Sequence, residues 1–366
     1  MKVICDRGAL VEALNLAGAV VMSRTPKPVL QCVKLSAGES GLTLAATDME
    51  VSLHLAVDQV DVQVPGEALI QSDKFGAIVR ESADATLTIE TEQETAHITG
   101  ADSHFKIFGY PVAEFPPVGQ FADDADFEID AGQIVNMTQK TLFATARENS
   151  RYAYKGVLLE RDGKKMTMVA TDGHRLPHVK GTCNVAADGA NSIIIPTKAL
   201  GLITRLLDDP AEVVKIKITE SQATFATTAA TLTTNLVEGT FPPYRDVIPK
   251  DLDRKATFDT VQLASALRRA ALLTTEESRG VKMAFTEDQL VLSSRAPEMG
   301  EAEVTVSLED FTGESIEMGF NPHFIIDALK VVDTDKVTIE LKAANKPATL
   351  KAGSDFLYVI MPLRLG

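Results

Sequence analysis

One run of residues is written into this chain more than once. Thr47-Asp48-Met49 closes a strand-like run, Leu42-Thr43-Leu44, and 124 residues later Thr171-Asp172-Gly173 closes Met166-Thr167-Met168-Val169. A third run, Leu290-Val291-Leu292, leads to Ser294-Arg295, with Arg295 123 residues after Asp172. Phe115-Pro116-Pro117 returns as Phe241-Pro242-Pro243 at a spacing of 126. The helix start at Asp73-Lys74 returns at Thr197-Lys198 and again at Pro322-His323. A period this long means a tandem of whole domains rather than a solenoid. The 366 residues then divide into three domains, 1–126, 127–254 and 255–366, each large enough to bury its own core.

Each third repeats one order of elements. An amphipathic helix is expected at 6–21, 133–148 and 260–273, with Asp6 and Asp259 as N-caps. Alternating strands come next, then a second helix at 73–81, 197–208 and 321–332, then more strands. Helices set between mostly antiparallel strands give the α+β class.

Several functions are excluded early. The chain has no Trp and only 5% aromatic residues, so it offers no platform for stacking bases or sugars. Cys5, Cys32 and Cys183 are too scattered for a metal site and read as reduced core thiols. No catalytic residues, metal or cofactor are expected. The six histidines form no HxH or HExxH spacing, and there is no glycine-rich phosphate loop, nucleophile elbow or CxxC. Met1-Lys2-Val3-Ile4-Cys5-Asp6 is not a secretory signal, and no apolar run approaches membrane-spanning length. A cytoplasmic protein without a membrane partner is expected.

The formal charge of −15 argues by itself against a nucleic-acid partner, but the positive charge is not evenly spread. The six expected helices sum to +3 and everything else to −18. Lys140 and Arg147, Lys198 and Arg205, and His323 and Lys330 are each seven residues apart, nearly two turns, so each pair shares a helix face. Arg268 and Arg269 add to the set. A few scattered cations facing phosphates bind weakly and without reading bases. Such a protein holds DNA durably only by enclosing it.

Three motifs carry a resemblance. They are Ala170-Thr171-Asp172-Gly173-His174-Arg175-Leu176, Glu238-Gly239-Thr240-Phe241-Pro242-Pro243-Tyr244-Arg245, and Val359-Ile360-Met361-Pro362-Leu363-Arg364-Leu365. In this order, and in phase with the repeat, they resemble the bacterial DNA sliding clamp family, the beta subunit of DNA polymerase III. The resemblance covers the whole chain. It implies three DNA-clamp domains forming half of a six-domain, head-to-tail homodimeric ring, with helices lining the pore and sheets outside. The ring would encircle double-stranded DNA without sequence preference and tether its partners for processivity. The partners implied are the DNA polymerase III alpha subunit, the clamp loader and other replication and repair proteins, each inserting a short apolar peptide.

Carried over residue by residue, the peptide pocket takes Thr171, Gly173, His174, Arg175 and Leu176 from the first motif. Tyr154, Pro242, Val247, Asn321 and Phe324 join it, and Val359, Ile360, Met361, Pro362, Leu363 and Arg364 complete it. The resemblance implies DNA-facing roles for Arg24, Lys74, Arg80, Arg147, Tyr152, Lys198, Arg205 and Lys282. For the dimer it sets Phe105 and Ile107 against Leu272 and Leu273, with Lys74 opposite Glu298, Glu301 or Glu303. The chain departs from the family pattern at Asp246, where a basic residue is common, and at Asp73 and Thr197, where arginine is frequent. Its loop at Asn345 and Pro347 lies in a variable pocket edge, and Gly366 extends past the usual terminus.

Two rival readings share some of these features. An enzyme built on Asp172-Gly173-His174-Arg175 with Asp48 as a second carboxylate would turn over a substrate or hold a metal. A tandem scaffold or adhesion protein without DNA would share the repeat but would need neither the basic helix pairs nor the C-terminal motif.

Overall fold

The computed structural model describes every residue except 120, 122–123, 147–151, 187–188, 276–278, 298 and 365–366, and gives the backbone alone at 152–153 and 185–186. The chain condenses into two compact units. The first contains Met1–Gly132, Cys183–Ala187 and Lys198–Leu236, and the second Gln133–Thr182, Asp188–Thr197 and Val237–Gly366. The first is built on one fourteen-stranded sheet, the second on sheets of nine and four strands. Six helices are described: α1 (Arg7–Val20), α2 (Ser72–Glu81), α3 (Ala131–Leu142), α4 (Thr197–Leu206), α5 (Thr260–Ala270) and α6 (Pro322–Leu329). The α+β class stands.

The units do not follow the sequence period, because strands of neighbouring repeats hydrogen-bond to each other. In the first unit, Val51–Val57 pairs with Ala230–Asn235, from Val51 opposite Thr234 to Leu55 opposite Ala230. In the second, Arg175–Thr182 pairs with Phe356–Ile360, from Arg175 opposite Ile360 to Val179 opposite Phe356. Each border is thus an antiparallel joint of five residue pairs, and the two joints share one register. Val51 and Arg175 both come after the Thr-Asp motif by the same number of residues.

The Thr-Asp motif is a turn that the side chains close themselves. Thr47 Oγ1 donates to the Val51 carbonyl (3.1 Å) and accepts from Met49 N (3.0 Å), while Asp48 Oδ1 accepts from Glu50 N and Val51 N. One period later Thr171 Oγ1 donates to the Arg175 carbonyl (2.8 Å) and accepts from Gly173 N (3.0 Å), while Asp172 Oδ1 accepts from His174 N and Arg175 N. Short hydroxyl and carboxylate side chains favour such local closures. The third residue of each turn has positive φ, 77° at Met49 and 91° at Gly173, and glycine adopts that conformation without penalty. Ser294-Arg295 does not make a third copy. Ser294 lies within the strand Gln289–Ala296, and its buried hydroxyl donates to the Ala270 carbonyl at the end of α5. That strand runs on into a hairpin with Gly300–Ser307.

The helices cover the sheets with narrow apolar stripes. Leu10, Leu14, Ala17 and Val20 of α1 are buried, at the i, i+4, i+7, i+10 spacing of one face. Asp6 and Asp259 do cap α1 and α5, accepting from Ala9 N (2.9 Å) and Gln262 N (2.8 Å), each worth about 1 kcal/mol. The helix ends differ from those the sequence implies, most of all in α3, α5 and α6. α3 stops at Leu142, where Thr145 Oγ1 donates to the Leu142 carbonyl and the Phe143 carbonyl is taken by Arg175. α5 tightens into a 3-10 turn over Ala271–Leu273, and α6 starts after Asn321, whose side chain accepts from His323 N.

The Phe-Pro-Pro exits are equivalent as well. Phe115 packs on the cluster of Val29, Leu30, Cys32 and Leu69. Phe241 lies in the cluster of Leu158, Val169, Leu176, Ile194, Tyr244 and Val359. The three thiols are buried and form no disulfide among the described residues, and burial pushes Cys5 and Cys32 up to about 12.

Candidate functional site

The second Thr-Asp turn differs from the first in its next residue but one. Where the first has Val51, the second has Arg175, and this arginine organises its surroundings. Its Nε donates to Asp172 Oδ2 (2.9 Å), its Nη1 to Asp327 Oδ2 on α6 (2.9 Å), and its Nη2 to the Phe143 carbonyl past the end of α3 (2.9 Å). The guanidinium also lies 4.6 Å from the Phe324 ring centroid and 5.4 Å from that of Phe143. Only 9% of the side chain is exposed. Burial disfavours the charge, but Tyr358, Asp327 and Asp172 outweigh it and hold the guanidinium above its ordinary pKa. A planar fork with fixed donors suits this multiple capture in a way lysine does not.

Around this keystone most of the expected pocket residues meet. His174 is exposed at the turn, its ring stacked 6.4 Å from Phe324 at 21°. Asn321 caps α6 and so aims Phe324 across the turn. The chain after Phe356–Ile360 continues alongside: Met361 N donates to the His174 carbonyl (2.9 Å) and Leu363 N to the Gly319 carbonyl (2.7 Å). Leu176 and Val359 are buried in the apolar cluster beneath, and Ile360 is buried beside them in sequence. Met361, Pro362 and Leu363 stay half-buried and Arg364 exposed. Thr171 is buried by its role in the turn, while Gly173 is exposed. Pro242 and Tyr154 are half-buried, and Val247 is 43% exposed.

The tail also lines a cleft of about 660 Å³, bounded by Met361, Pro362, Leu363 and Arg364 on one side and by Lys282, Glu317, Met318, Gly319, Ala344 and Asn345 on the other. Apolar walls with a few polar groups at the rim fit an extended apolar peptide. Glu317, Met318, Gly319 and Ala344 are not singled out by the sequence. The signal available is the alternation of Ile316-Glu317-Met318-Gly319-Phe320, which marks a strand but not its neighbour.

Two expected cations take different positions. The resemblance assigns Lys282 to DNA. It lies on the strand Val281–Phe285, pairs with Glu317 (3.3 Å) and borders the C-terminal cleft. The seven-residue spacing pairs Lys140 with Arg147 on one exposed helix face. Lys140 is in fact 6% exposed and bonded to Asp333 and Asp355 (3.6 and 3.4 Å), because α3 turns it into the unit. Arg147 and the Tyr152 side chain lie outside the described residues, as does Glu298.

The other cations are exposed. Arg24 comes after α1, Lys74 and Arg80 lie on α2, and Arg205 is in the last turn of α4. Arg80 reaches Asn15 of α1 (3.3 Å) across a cleft of about 490 Å³ between the two helices. Lys198 is already engaged, donating to Asp48 Oδ2 (2.5 Å) and the Val20 carbonyl (3.0 Å). It therefore fastens the first Thr-Asp turn to the end of α1.

Of the residues expected at a dimer contact, Phe105 is 39% exposed and Leu272 72%, while Ile107 and Leu273 are half-buried. Glu301 and Glu303 are exposed on Gly300–Ser307, the outermost strand of the four-stranded sheet. Leu273 sits beside that strand, its Cδ1 3.9 Å from where a Cβ on Gly300 would be. Among the described residues no group of three or more His, Cys, Asp or Glu side chains is arranged to hold a metal. No described helix is long and apolar enough to cross a membrane.

Repeated α+β domains joined strand to strand, with an apolar cleft closed by the C-terminal tail, define a clamp-type protein. Residues 1–119, 128–243 and 245–364 match the N-terminal, central and C-terminal domains of the DNA polymerase III beta subunit. The beta sliding clamp of Pseudomonas putida is 32% identical over 368 residues, covering 100% of both chains. The crystal structure of the DNA polymerase III subunit beta from Pseudomonas aeruginosa superposes with a TM-score of 0.92 at 31% identity, with 100% of each chain covered. The DNA polymerase sliding clamp from Bacillus subtilis gives 0.94 at 27% identity, again with 100% of each chain. The chain belongs to the DNA polymerase III beta subunit family, the bacterial sliding clamps.

Proposed function

We propose that two copies of this chain close head to tail into a ring that encircles duplex DNA, slides on it, and tethers the replicative polymerase and other partners without itself catalysing a reaction. The observation that carries the reading is the repeated joint. Two repeat borders use one strand pairing in one register. The strands equivalent to those of the two joints are left over in the first and third repeats. Gly300–Ser307 corresponds to Val51–Val57 and Arg175–Thr182, since Val304 lies opposite Leu292 as Leu55 lies opposite Leu44 and Val179 opposite Met168. It pairs on one side only among the described residues. His104–Tyr110 corresponds to Ala230–Asn235, since Phe105 lies opposite Ile98 as Leu232 lies opposite Phe225. Its residues 104–108 likewise pair on one side only, with Thr95–Thr99. An unpaired edge is a template for another strand, and a heterologous contact repeated about a closing rotation gives a ring.

The same register sets the third joint residue by residue. Gly300 falls opposite Ile107 of the second copy, Glu301 opposite Lys106, Ala302 opposite Phe105 and Glu303 opposite His104. Phe105 and Ile107 share the core-facing side of their strand with Ile98 and Ala96, so Leu272 and Leu273 would extend that core across the joint. Glu301 is assigned to Lys106 here, and Lys74 is left to the exposed helix cations, with Arg24, Arg80 and Arg205. Together with Lys198 these form the surface we assign to DNA.

The cleft at Met361–Arg364, the Arg175 turn and Phe324 form the docking site for short apolar peptides of the polymerase III alpha subunit, the clamp loader and other replication and repair proteins. Domain boundaries near 126 and 254 and a cytoplasmic location go with this assignment.

Retention on DNA tests the ring. After loading by a competent loader at moderate salt, the protein should stay on closed circular DNA and be lost when the circle is cut. Equal retention on both forms would mean ordinary binding, and equal loss would favour a scaffold without DNA. The joint is tested by Leu272→Asp with Leu273→Asp. Two charges on an apolar contact should leave monomers at low micromolar concentration in sedimentation velocity, with peptide affinity within about twofold of wild type, because the pocket lies on other elements. A double variant that remains dimeric would overturn the interface assignment.

A further inference from the structure

His97 and His104 lie on adjacent strands next to the open edge, outside the peptide cleft and the helix cations. Their rings stack 5.3 Å apart at 29°, with His97 Nδ1 3.2 Å from His104 Nε2. His104 Nδ1 is 3.0 Å from Thr99 Oγ1. Both rings point to the solvent side of the sheet, opposite the buried Ala96 and Ile98. At this separation one ring donates to the other.

We propose that this histidine pair makes ring closure proton-dependent, with the carboxylate of Glu303 on the second copy favouring protonated His104. The proposal rests on the head-to-tail reading and its register. Several charged groups share this face of the sheet, and exposed Glu92, two residues beyond Glu90 on its strand, is one of them. Lys106 and Glu90 are the cross-strand neighbours of His97, and Glu90 is itself paired with Lys2 (3.8 Å). Asp102 precedes His104 in the turn, and Lys106 comes after it on the strand, 5.7 Å from the Phe108 ring centroid. On the open subunit the nearest carboxylate across the strands, Glu90, is therefore shared with Lys2. The second copy would bring Glu303 opposite His104 and Glu301 opposite Lys106, with Glu301 already 3.1 Å from Arg295. Glu303 is the added acid that has no cation of its own across the adjacent strand, where Ser293 faces it.

The sign comes from linkage. A carboxylate gained on closure raises the proton affinity of the imidazole in the ring over that in the open subunit. The extra stability is present at acidic pH and is lost as pH rises through the value raised by closure. An exposed pair changes an equilibrium by about two- to fivefold. A ring has two joints, so its dissociation constant should fall roughly four- to twenty-five-fold from about pH 8 to about pH 6.

The measurement is the dimer dissociation constant of the full chain by sedimentation velocity at those two pH values, for wild type, His104→Gln and Glu303→Gln. The general loss of negative charge on acidification tightens all three alike, so the comparison isolates the pair. We expect the wild-type change to exceed that of each variant by at least about threefold. An equal pH response in wild type and both variants, with dimers present, would overturn the proton linkage and leave the ring intact. Monomers alone at both pH values would overturn the head-to-tail reading, and this proposal with it.

Discussion

Arg175→Ala should destabilise the second unit by about 3 kcal/mol, read as a lower urea midpoint, and should also weaken peptide binding. Removing one member of a buried ion pair costs about 3–5 kcal/mol, because the partner is left desolvated. Here the lower figure applies: Asp172 and Asp327 are 18% and 32% exposed, so water screens part of their charge. The Phe143 carbonyl loses its donor, and the Phe143 and Phe324 rings lose the guanidinium between them. Arg175→Lys should recover less than half of the loss. An ammonium can reach one carboxylate, but it cannot bond Asp172, Asp327 and Phe143 at once in a plane. The pocket suffers with the fold, since the same turn carries His174 and receives Met361 N. A variant with wild-type stability would show that the three bonds of Arg175 are decorative, and its role as the keystone of the site would fall.

Legibility in the sequence divides by the range of the interactions. The Thr-Asp turns can be read as a period because each is closed within five residues by its own side chains. The caps at Asp6 and Asp259 are local in the same way, and both are present. Lys140 cannot be placed from sequence. Its helix spacing points to a solvent face, but Asp333 and Asp355, about two hundred residues on, draw it in. The end of α3 is invisible for the same reason, since it depends on Arg175 capturing the Phe143 carbonyl. Lys282 carries no mark of the cleft in its own strand. The family motifs bring the turn, α6 and the tail together correctly, but only as a resemblance. What physically joins them is the Arg175 fork, the stacking of His174 on Phe324 and two backbone hydrogen bonds. The joints escape the sequence altogether. Ala230-Thr231-Leu232-Thr233-Thr234-Asn235 gives no hint that its partner is Val51–Val57. The register argument for a third joint therefore exists only in the structure.

A chain ending at Ile360 should lose binding of a Leu- or Phe-bearing partner peptide while still forming dimers. The tail is attached lightly: among the described residues two backbone hydrogen bonds hold it, Met361 to His174 and Leu363 to Gly319. Its apolar side chains are only half-buried, so removing them takes little from the core. Ile360 keeps its partners Arg175 and Ala348, so the joint between the second and third repeats survives. The cleft, by contrast, loses one wall, since Met361, Pro362, Leu363 and Arg364 form that side of it. Anchor residues in such grooves are worth about 2–4 kcal/mol, and the expected loss of peptide affinity is roughly 30- to 700-fold. The strands assigned to the subunit joint, Gly300–Ser307 and His104–Tyr110, do not include the tail, so the dimer dissociation constant should change by less than about twofold. Fluorescence anisotropy of a labelled peptide and sedimentation velocity on the same sample separate the two effects. Loss of both would mean that the tail also supports ring closure, and the division between docking cleft and joint would have to be redrawn. Loss of neither would move the peptide site away from the tail, to the surface around exposed Val247 and half-buried Pro242.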